Sequence, residues 1–194
     1  LTHDGANSAG VPPDRYRRAI EALLQRGTGL VLLNHATVSW PNWPLWRRIS
    51  GSTFMLRSGE LAGVAVPGSG YRGGHGPLPN ATIKLVPQCV HPVLAGLDAG
   101  FEITDELYLC PVFEEDVVPL IRSDYGFEGS HFYSAARAVA GEMHSRVDWN
   151  HPTGSNLVGW VKRRGNSPIV YLQGGDDATA MANEHFRRLV HNAI

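Results

Sequence analysis

The chain has 194 residues, 43% of them apolar, and a formal net charge of −1. This length supports one sizeable core, so we expect a single domain over residues 1–194. No run of lysines or arginines provides the basic surface that nucleic acid or an anionic membrane needs. No apolar segment approaches the ~20 residues that cross a bilayer. These features favour a neutral small molecule as the partner.

Cysteine usage and the first residues give expectations about location and completeness. Cys89 and Cys110 form no CxxC pair, and a single possible disulfide is much less than the disulfide framework of a small secreted protein. We therefore expect the protein to be located in the reducing cytoplasm. The opening residues, LTHDG, contain no initiator methionine and no signal sequence. They are typical of the interior of a longer chain, and we expect further chain upstream.

The predicted elements alternate between helix and strand. Residues 12–26 have one apolar face, start with proline and end at a glycine, which predicts a helix. Residues 29–34 form a continuous apolar run, typical of a strand buried on both faces of a parallel sheet. The pattern then predicts a short helix at 43–50, a Gly- and Pro-rich binding loop at 67–80, strands at 81–86, 101–109 and 117–122, a helix at 132–143, a buried strand at 169–172 and a helix at 180–193.

Polar residues follow three of the strands. His35 comes after the run at 29–34, Asp176 lies beyond the strand at 169–172, and His3 would follow a strand ending at Leu1. Ligands collect beyond the carboxyl ends of parallel strands, so these side chains are expected to lie side by side. Two imidazoles and a carboxylate suit a divalent metal or acid/base work without one. No HExxH-type motif is present, and histidines bonded to loop carbonyls are the alternative.

Three tryptophans, Trp40, Trp43 and Trp46, recur every third residue, which would place them on one face of a helix. They could be ordinary core residues, an alternative that suits Trp46 better than Trp40. Aromatic faces also stack on the apolar side of a pyranose ring. Trp40 and Trp43 are therefore candidates for the wall of a sugar pocket.

Two carboxylates and a histidine form further candidates. The alternating apolar residues of 101–109 leave Asp105 on their side of the strand and Glu106 on the other. A carboxylate among apolar neighbours is hydrogen-bonded, paired or functional. Glu106 could instead be a solvated charge, and His91 could be a turn residue before Pro92. No GxSxG elbow and no GxGxxG after a strand occurs, so acyl-enzyme chemistry and nucleotide binding lack support.

The ordered segments GLVLLNHAT, HPVLAGL, FEITDELY and SPIVYLQGGDD resemble the ThuA-like (trehalose utilisation) family. The resemblance covers nearly the whole chain and is weakest between residues 126 and 149. It implies the class I glutamine amidotransferase-like superfamily, a flavodoxin-like three-layer α/β sandwich with a mostly parallel central sheet, and an N-terminal strand-helix portion before residue 1. It also implies bacterial carbohydrate catabolism, with trehalose, a related disaccharide or a 3-keto derivative as substrate class.

The family's functional positions fall on residues of this sequence. The matching motifs place five of them in the implied site: His3, His35, His91, Asp105 and Glu106. His35 is similar in position to the nucleophilic cysteine of true amidotransferases, which argues against cysteine-dependent glutamine hydrolysis. Many relatives have histidine where this sequence has Asp176, and aspartate suits a harder ion.

We therefore predict a sugar-processing enzyme of the hydrolase, lyase or isomerase type. The candidate catalytic residues are His35, His3, Glu106, Asp105 and Asp176. The candidate substrate-binding residues are Asn34, Trp40, Trp43, His91, Tyr108 and Gln173. No cofactor is indicated except a possible divalent metal on His3, His35 and Asp176. The alternative is a non-catalytic module that binds a sugar or a partner protein, and homo-oligomerisation is left open.

Overall fold

The computed structural model describes residues 10–74 and 80–194. Its helices are α1 (Asp14–Gln25), α2 (Pro44–Ser50), α3 (Ala135–Val139), α4 (Ala178–Ala182) and α5 (Glu184–Ala193). Its strands are β1 (Leu30–Leu33), β2 (Gly59–Leu61), β3 (Val64–Val66), β4 (Gly70–Arg72), β5 (Ala81–Pro87), β6 (Phe101–Asp105), β7 (Leu107–Leu109), β8 (Val118–Ser123), β9 (Tyr133–Ser134), β10 (Leu157–Arg164) and β11 (Ser167–Leu172). In this part of the chain no helix combines the length and apolar character needed to span a membrane.

The central sheet is mixed. Its six strands follow the order β1-β11-β10-β8-β5-β6. Between described residues, β1 pairs with β11 in parallel, and the other four neighbouring pairs are antiparallel. The α/β class is therefore confirmed, but the mostly parallel arrangement is not. A two-residue link at 165–166 joins β10 to β11, which is far too short for the crossover that a parallel pair needs.

The side chains of β11 show how the sheet is covered on both faces. Ile169 and Tyr171 belong to a core cluster with Trp46 of α2, whereas Val170 belongs to a cluster with Phe186 of α5. Successive residues of a strand point to opposite faces. Helices thus pack on the two sides of the sheet, which is consistent with a flavodoxin-like sandwich.

Several predicted elements differ in detail. The helices at 12–26 and 43–50 and the strand at 29–34 are confirmed as α1, α2 and β1. The predicted strand at 101–109 is divided at Glu106, because β6 belongs to the central sheet whereas β7 joins a small sheet with β4 and β9. The predicted loop at 67–80 contains β4, and the helix at 132–143 shortens to α3 after β9.

The closing helix is interrupted at Asn183. The side-chain oxygen of Asn183 accepts hydrogen bonds from the backbone N–H groups of His185 and Phe186, at 3.0 and 3.1 Å. A side chain that caps the first turn of a helix in this way favours a new start over a continuous helix. The predicted helix at 180–193 is therefore two helices, α4 and α5.

Candidate active site

Three strand ends meet at one edge of the central sheet. His35 lies in a 3₁₀ turn directly after β1, Glu106 at the break between β6 and β7, and Asp176 beyond β11. The pairing directions place the carboxyl ends of these three strands at the same edge. One nitrogen of His35 and one oxygen of each carboxylate lie within 4.8 Å of one another. The structure thus brings together three of the predicted site residues, here called the His35–Glu106–Asp176 cluster.

The cluster has a buried floor and a partly open side. The Glu106 side chain is 3% exposed, whereas that of His35 is 32% exposed, and Asp176 is half-buried. His35 Nε2 lies 3.8 Å from Glu106 Oε2. A ligand would therefore approach from the side of His35 and Asp176, with Glu106 beneath it.

Glu106 is a carboxyl group in an environment that favours its neutral form. Burial raises the pKa of Glu106 to about 8, and the charges of Asp176 and Asp105 act in the same direction. The Tyr108 hydroxyl donates a hydrogen bond to Glu106 Oε2, which opposes this effect without cancelling it. Burial also raises the pKa of Tyr108 well above 10, so its hydroxyl keeps its proton. At neutral pH, Glu106 holds a proton that it could donate.

Asp105 faces the backbone instead of the open side of the cluster. It is 1% exposed, and it accepts hydrogen bonds from the N–H groups of Gly175 at 2.7 Å, Asp176 at 3.2 Å and Glu106 at 2.9 Å. Burial raises the pKa of Asp105 to about 6, while the three N–H groups lower it. Asp105 is therefore mainly ionised at neutral pH.

Asn34 and Gln173 support the cluster from within the protein. Gln173 Oε1 accepts from the Tyr108 N–H at 3.0 Å, and Gln173 Nε2 donates to the Tyr108 carbonyl at 3.4 Å. Asn34 has a left-handed backbone, with φ of 40°, and its Nδ2 donates to the Gln173 carbonyl at 3.1 Å. Asn34, Tyr108 and Gln173 are each at most 6% exposed. These three predicted substrate-binding residues thus lie next to the cluster, on its buried side and not on its open side.

The tryptophans form part of the core. Trp43 and Trp46 are 6% and 4% exposed, and their rings stack at a centroid distance of 6.2 Å. Trp40 packs edge-on against both rings. Trp46 Nε1 donates to the Ala36 carbonyl at 2.7 Å, one residue after His35. The structure therefore places Trp43 in the core and not on a pocket wall, and Trp46 supports the turn that carries His35.

His91 lies away from the cluster. Ala81, at the start of β5, pairs with Asp105, whereas His91 follows the far end of the same strand, roughly 20 Å along it. His91 Nδ1 accepts a hydrogen bond from the Val93 N–H at 3.2 Å and so caps a short 3₁₀ turn. This contact is the turn role considered from the sequence. His3 lies outside the described residues.

The sequence did not single out Gly74, which lies directly against the cluster. A Cβ on Gly74 would overlap Glu106 Oε1, and its φ is +77°, so glycine suits this position in both respects. Asn80 Oδ1 accepts from the Gly74 N–H at 2.6 Å, and Asn80 Nδ2 donates to Asp177 Oδ2 at 3.4 Å. Both residues belong to the segment at 67–80 that was predicted as a binding loop, but no pattern distinguished them within it.

These features define an α/β protein with a carboxylate and imidazole cluster at the strand ends. The chain belongs to the ThuA family, described as trehalose utilisation, whose model matches residues 5–194. Membership supports a carbohydrate-related role. No curated protein matches the sequence.

Two solved structures are similar in fold. A ThuA-like protein from Parabacteroides merdae ATCC 43184 is 18% identical with a TM-score of 0.66, and the match covers 93% of this chain and 64% of that one. A ThuA-like protein from Bacteroides uniformis ATCC 8492 is 18% identical with a TM-score of 0.61, covering 94% and 64%. The present chain therefore spans 64% of the length of these two proteins.

Proposed function

We propose that the chain is a carbohydrate-processing enzyme that carries out acid/base chemistry on a neutral disaccharide or its 3-keto derivative. The observation that carries this proposal is the convergence of His35, Glu106 and Asp176 from three strand ends to within 4.8 Å. Catalytic groups with different protonation states are typical of such sites. The family description, trehalose utilisation, supports a sugar as the substrate class.

In this proposal the members of the cluster have different roles. Glu106, with a pKa of about 8, is protonated at neutral pH and acts as the general acid. His35 is one-third exposed, and its imidazole accepts a proton from the bound sugar. Asp176 is half-buried beside both groups, so its carboxylate stabilises the positive charge that develops on His35.

A 3-keto glycoside is suited to this pair of groups. The hydrogen on the carbon between the carbonyl and the glycosidic carbon is acidified by the carbonyl. His35 would remove that proton, and the electron pair would form a double bond to the glycosidic carbon as the bond to the leaving oxygen breaks. Glu106 would give its proton to that oxygen. General acid and base groups each contribute on the order of 10² to 10⁴ in rate.

The same residues fit a divalent cation, which is the second candidate arrangement. One imidazole nitrogen and two carboxyl oxygens form a donor set that divalent transition metals accept. The negative charge of Asp176 contributes to the raised pKa of Glu106, and a cation between the two groups would offset that charge. His35, Glu106 and Asp176 would hold the ion. A bound ion would supply Lewis-acid polarisation of a sugar oxygen.

A direct test compares the wild type with His35→Ala and Glu106→Gln. The substrates are trehalose and 3-keto-trehalose, release of monosaccharide is followed, and metal content is measured by inductively coupled plasma mass spectrometry. We expect turnover by the wild type and a fall of at least about 100-fold in each variant. Glu115→Gln is the control, because Glu115 is exposed and outside the cluster.

The outcomes separate enzyme, metal enzyme and binding module. Stoichiometric metal that is lost in His35→Ala would select the cation arrangement. Turnover that does not depend on added metal or chelator would select acid/base chemistry alone. If the wild type binds these sugars but converts neither of them, and His35→Ala abolishes binding, the catalytic proposal is wrong and the chain is a sugar-binding module.

A further inference from the structure

Two strands that are not neighbours in the central sheet are joined at the candidate site. Three strands, β10, β8 and β5, separate β11 from β6. The carboxyl ends of β11 and β6 nevertheless touch, because Asp105 reaches the backbone of Gly175, 70 residues further along the chain. At this edge of the sheet, the Asp105 side chain therefore links the ends of two strands that are not neighbours.

Asp105 holds the segment that carries Asp176. Its Oδ2 accepts from the Gly175 N–H, and its Oδ1 accepts from the N–H groups of both Asp176 and Glu106. One carboxylate thus joins the backbones of two members of the cluster. At 1% exposure, Asp105 offers no surface to a substrate.

Gln173, at the end of β11, holds the segment that follows β6. Its side-chain amide pairs with both backbone groups of Tyr108 in β7. The Tyr108 hydroxyl in turn donates to Glu106. The Gln173 carbonyl accepts from Asn34, which precedes His35, so the third strand end is tied to the same point.

The two glycines between Gln173 and Asp176 permit this close approach. A Cβ on Gly174 would lie 2.7 Å from Asp105 Oδ2 and 2.9 Å from the Phe186 ring. Gly175 has φ of +104°, which side chains other than glycine rarely adopt. The segment is therefore shaped to place its N–H groups on the Asp105 carboxylate.

We propose that Asp105 and Gln173 form a reciprocal clamp, and that both are positioning residues that set the geometry of Glu106 and Asp176 without touching the substrate. Asp105 lies at the end of β6 and binds the backbone that follows β11. Gln173 follows β11 and binds the backbone of β7. The importance of the clamp for turnover rests on the proposed function. Its effect on the backbone does not, so the two can be tested separately.

The test uses hydrogen exchange measured by NMR on chelator-treated protein. Asp105→Asn keeps the size of the side chain but replaces one acceptor oxygen by a donor and removes the charge. The Gly175 and Asp176 amides should exchange at least about tenfold faster, relative to the amides of β10 that report global opening. Glu102→Gln, an exposed acid-to-amide change on the same strand, should leave them unchanged. Gln173→Ala should have the corresponding effect on the Tyr108 amide.

Kinetics with 3-keto-trehalose separates positioning from direct chemistry. A positioning role predicts that Asp105→Asn lowers kcat with little change in KM, together with faster exchange at Gly175 and Asp176. Unchanged exchange at these amides would overturn the clamp, and unchanged kcat despite faster exchange would overturn the positioning role. A large loss of kcat with unchanged exchange would make Asp105 a catalytic residue instead. If the wild type shows no turnover, the proposed function fails, while the exchange rates still decide the clamp.

Discussion

Glu106 should make the stability of the protein depend on pH in a defined direction. Its pKa is raised from 4.5 to about 8 in the folded protein. Between these values the folded state keeps a proton that the unfolded state has released. The free energy of unfolding therefore falls as pH rises from about 4.5 to about 8, and this contribution is constant outside that window.

The size of the effect follows from the difference between the two pKa values. One pKa unit corresponds to about 1.4 kcal/mol, so a change from 4.5 to about 8 corresponds to a decline of about 5 kcal/mol. A typical domain has a total stability of about 5–15 kcal/mol. Ionisation of this one buried carboxyl group would thus remove a large part of it.

Glu106→Gln provides the test, because glutamine is nearly isosteric and has no charge to acquire. Urea unfolding would be measured between about pH 5 and about pH 9 with chelator present, so that no cation binds the cluster. We expect the wild type to lose stability across this range and Glu106→Gln to lose about 4 kcal/mol less, because about 1 kcal/mol of the decline falls below about pH 5. Glu115→Gln should behave like the wild type. An equally steep decline in Glu106→Gln would show that another group titrates and would refute this account of the buried carboxyl.

Gly74→Ala should lower the free energy of unfolding by about 2 kcal/mol or more, because it combines left-handed backbone strain with overlap at Glu106. Gly63→Ala is the matched control, since its φ is +81° and a Cβ there meets nothing within 4 Å. It should show only the backbone strain, about 1 kcal/mol. Chemical denaturation of the two variants checks this, and equal losses would contradict it. The two thiols should differ in reactivity: exposed Cys89 should react at once with a thiol reagent, whereas Cys110, buried and with a pKa raised by burial to about 12, should react after unfolding. A fast reaction that persists in Cys89→Ser would refute this assignment.

Residues at the strand ends could be identified because their signals are local. A continuous apolar run that stops at a polar residue indicates a buried strand and its end, and this signal located His35 and Asp176. Asp105 was identified because a carboxylate on the apolar side of a strand needs a partner, and Glu106 was identified as its neighbour in the family's acidic pair before a tyrosine. In each case the relevant information lies within a few residues of the site.

Other features could not be predicted, because local sequence does not distinguish the alternatives. A buried apolar run looks the same in a parallel strand and in a central antiparallel strand, so the pairing of β10 with β11 was missed. Trp43 at helical spacing is compatible with a core or a pocket wall, and only tertiary packing decides. His91 matched a family motif, but the sequence does not show that β5 runs antiparallel to β6 and β8. That direction places the carboxyl end of β5, and His91 beyond it, at the opposite edge of the sheet.

The contacts of the cluster also bear on when the site forms during folding. Asp105 and Gly175 are 70 residues apart in the chain, and Asn34 and Gln173 are 139 residues apart. Contacts with such separations require closure of long loops, and proteins rich in them fold slowly. The cluster should therefore assemble only when the last strand and the first described strand have both been placed. Partly folded forms would contain secondary structure, but His35, Glu106 and Asp176 would not yet lie close together. Formation of the site is therefore a sensitive probe of complete folding.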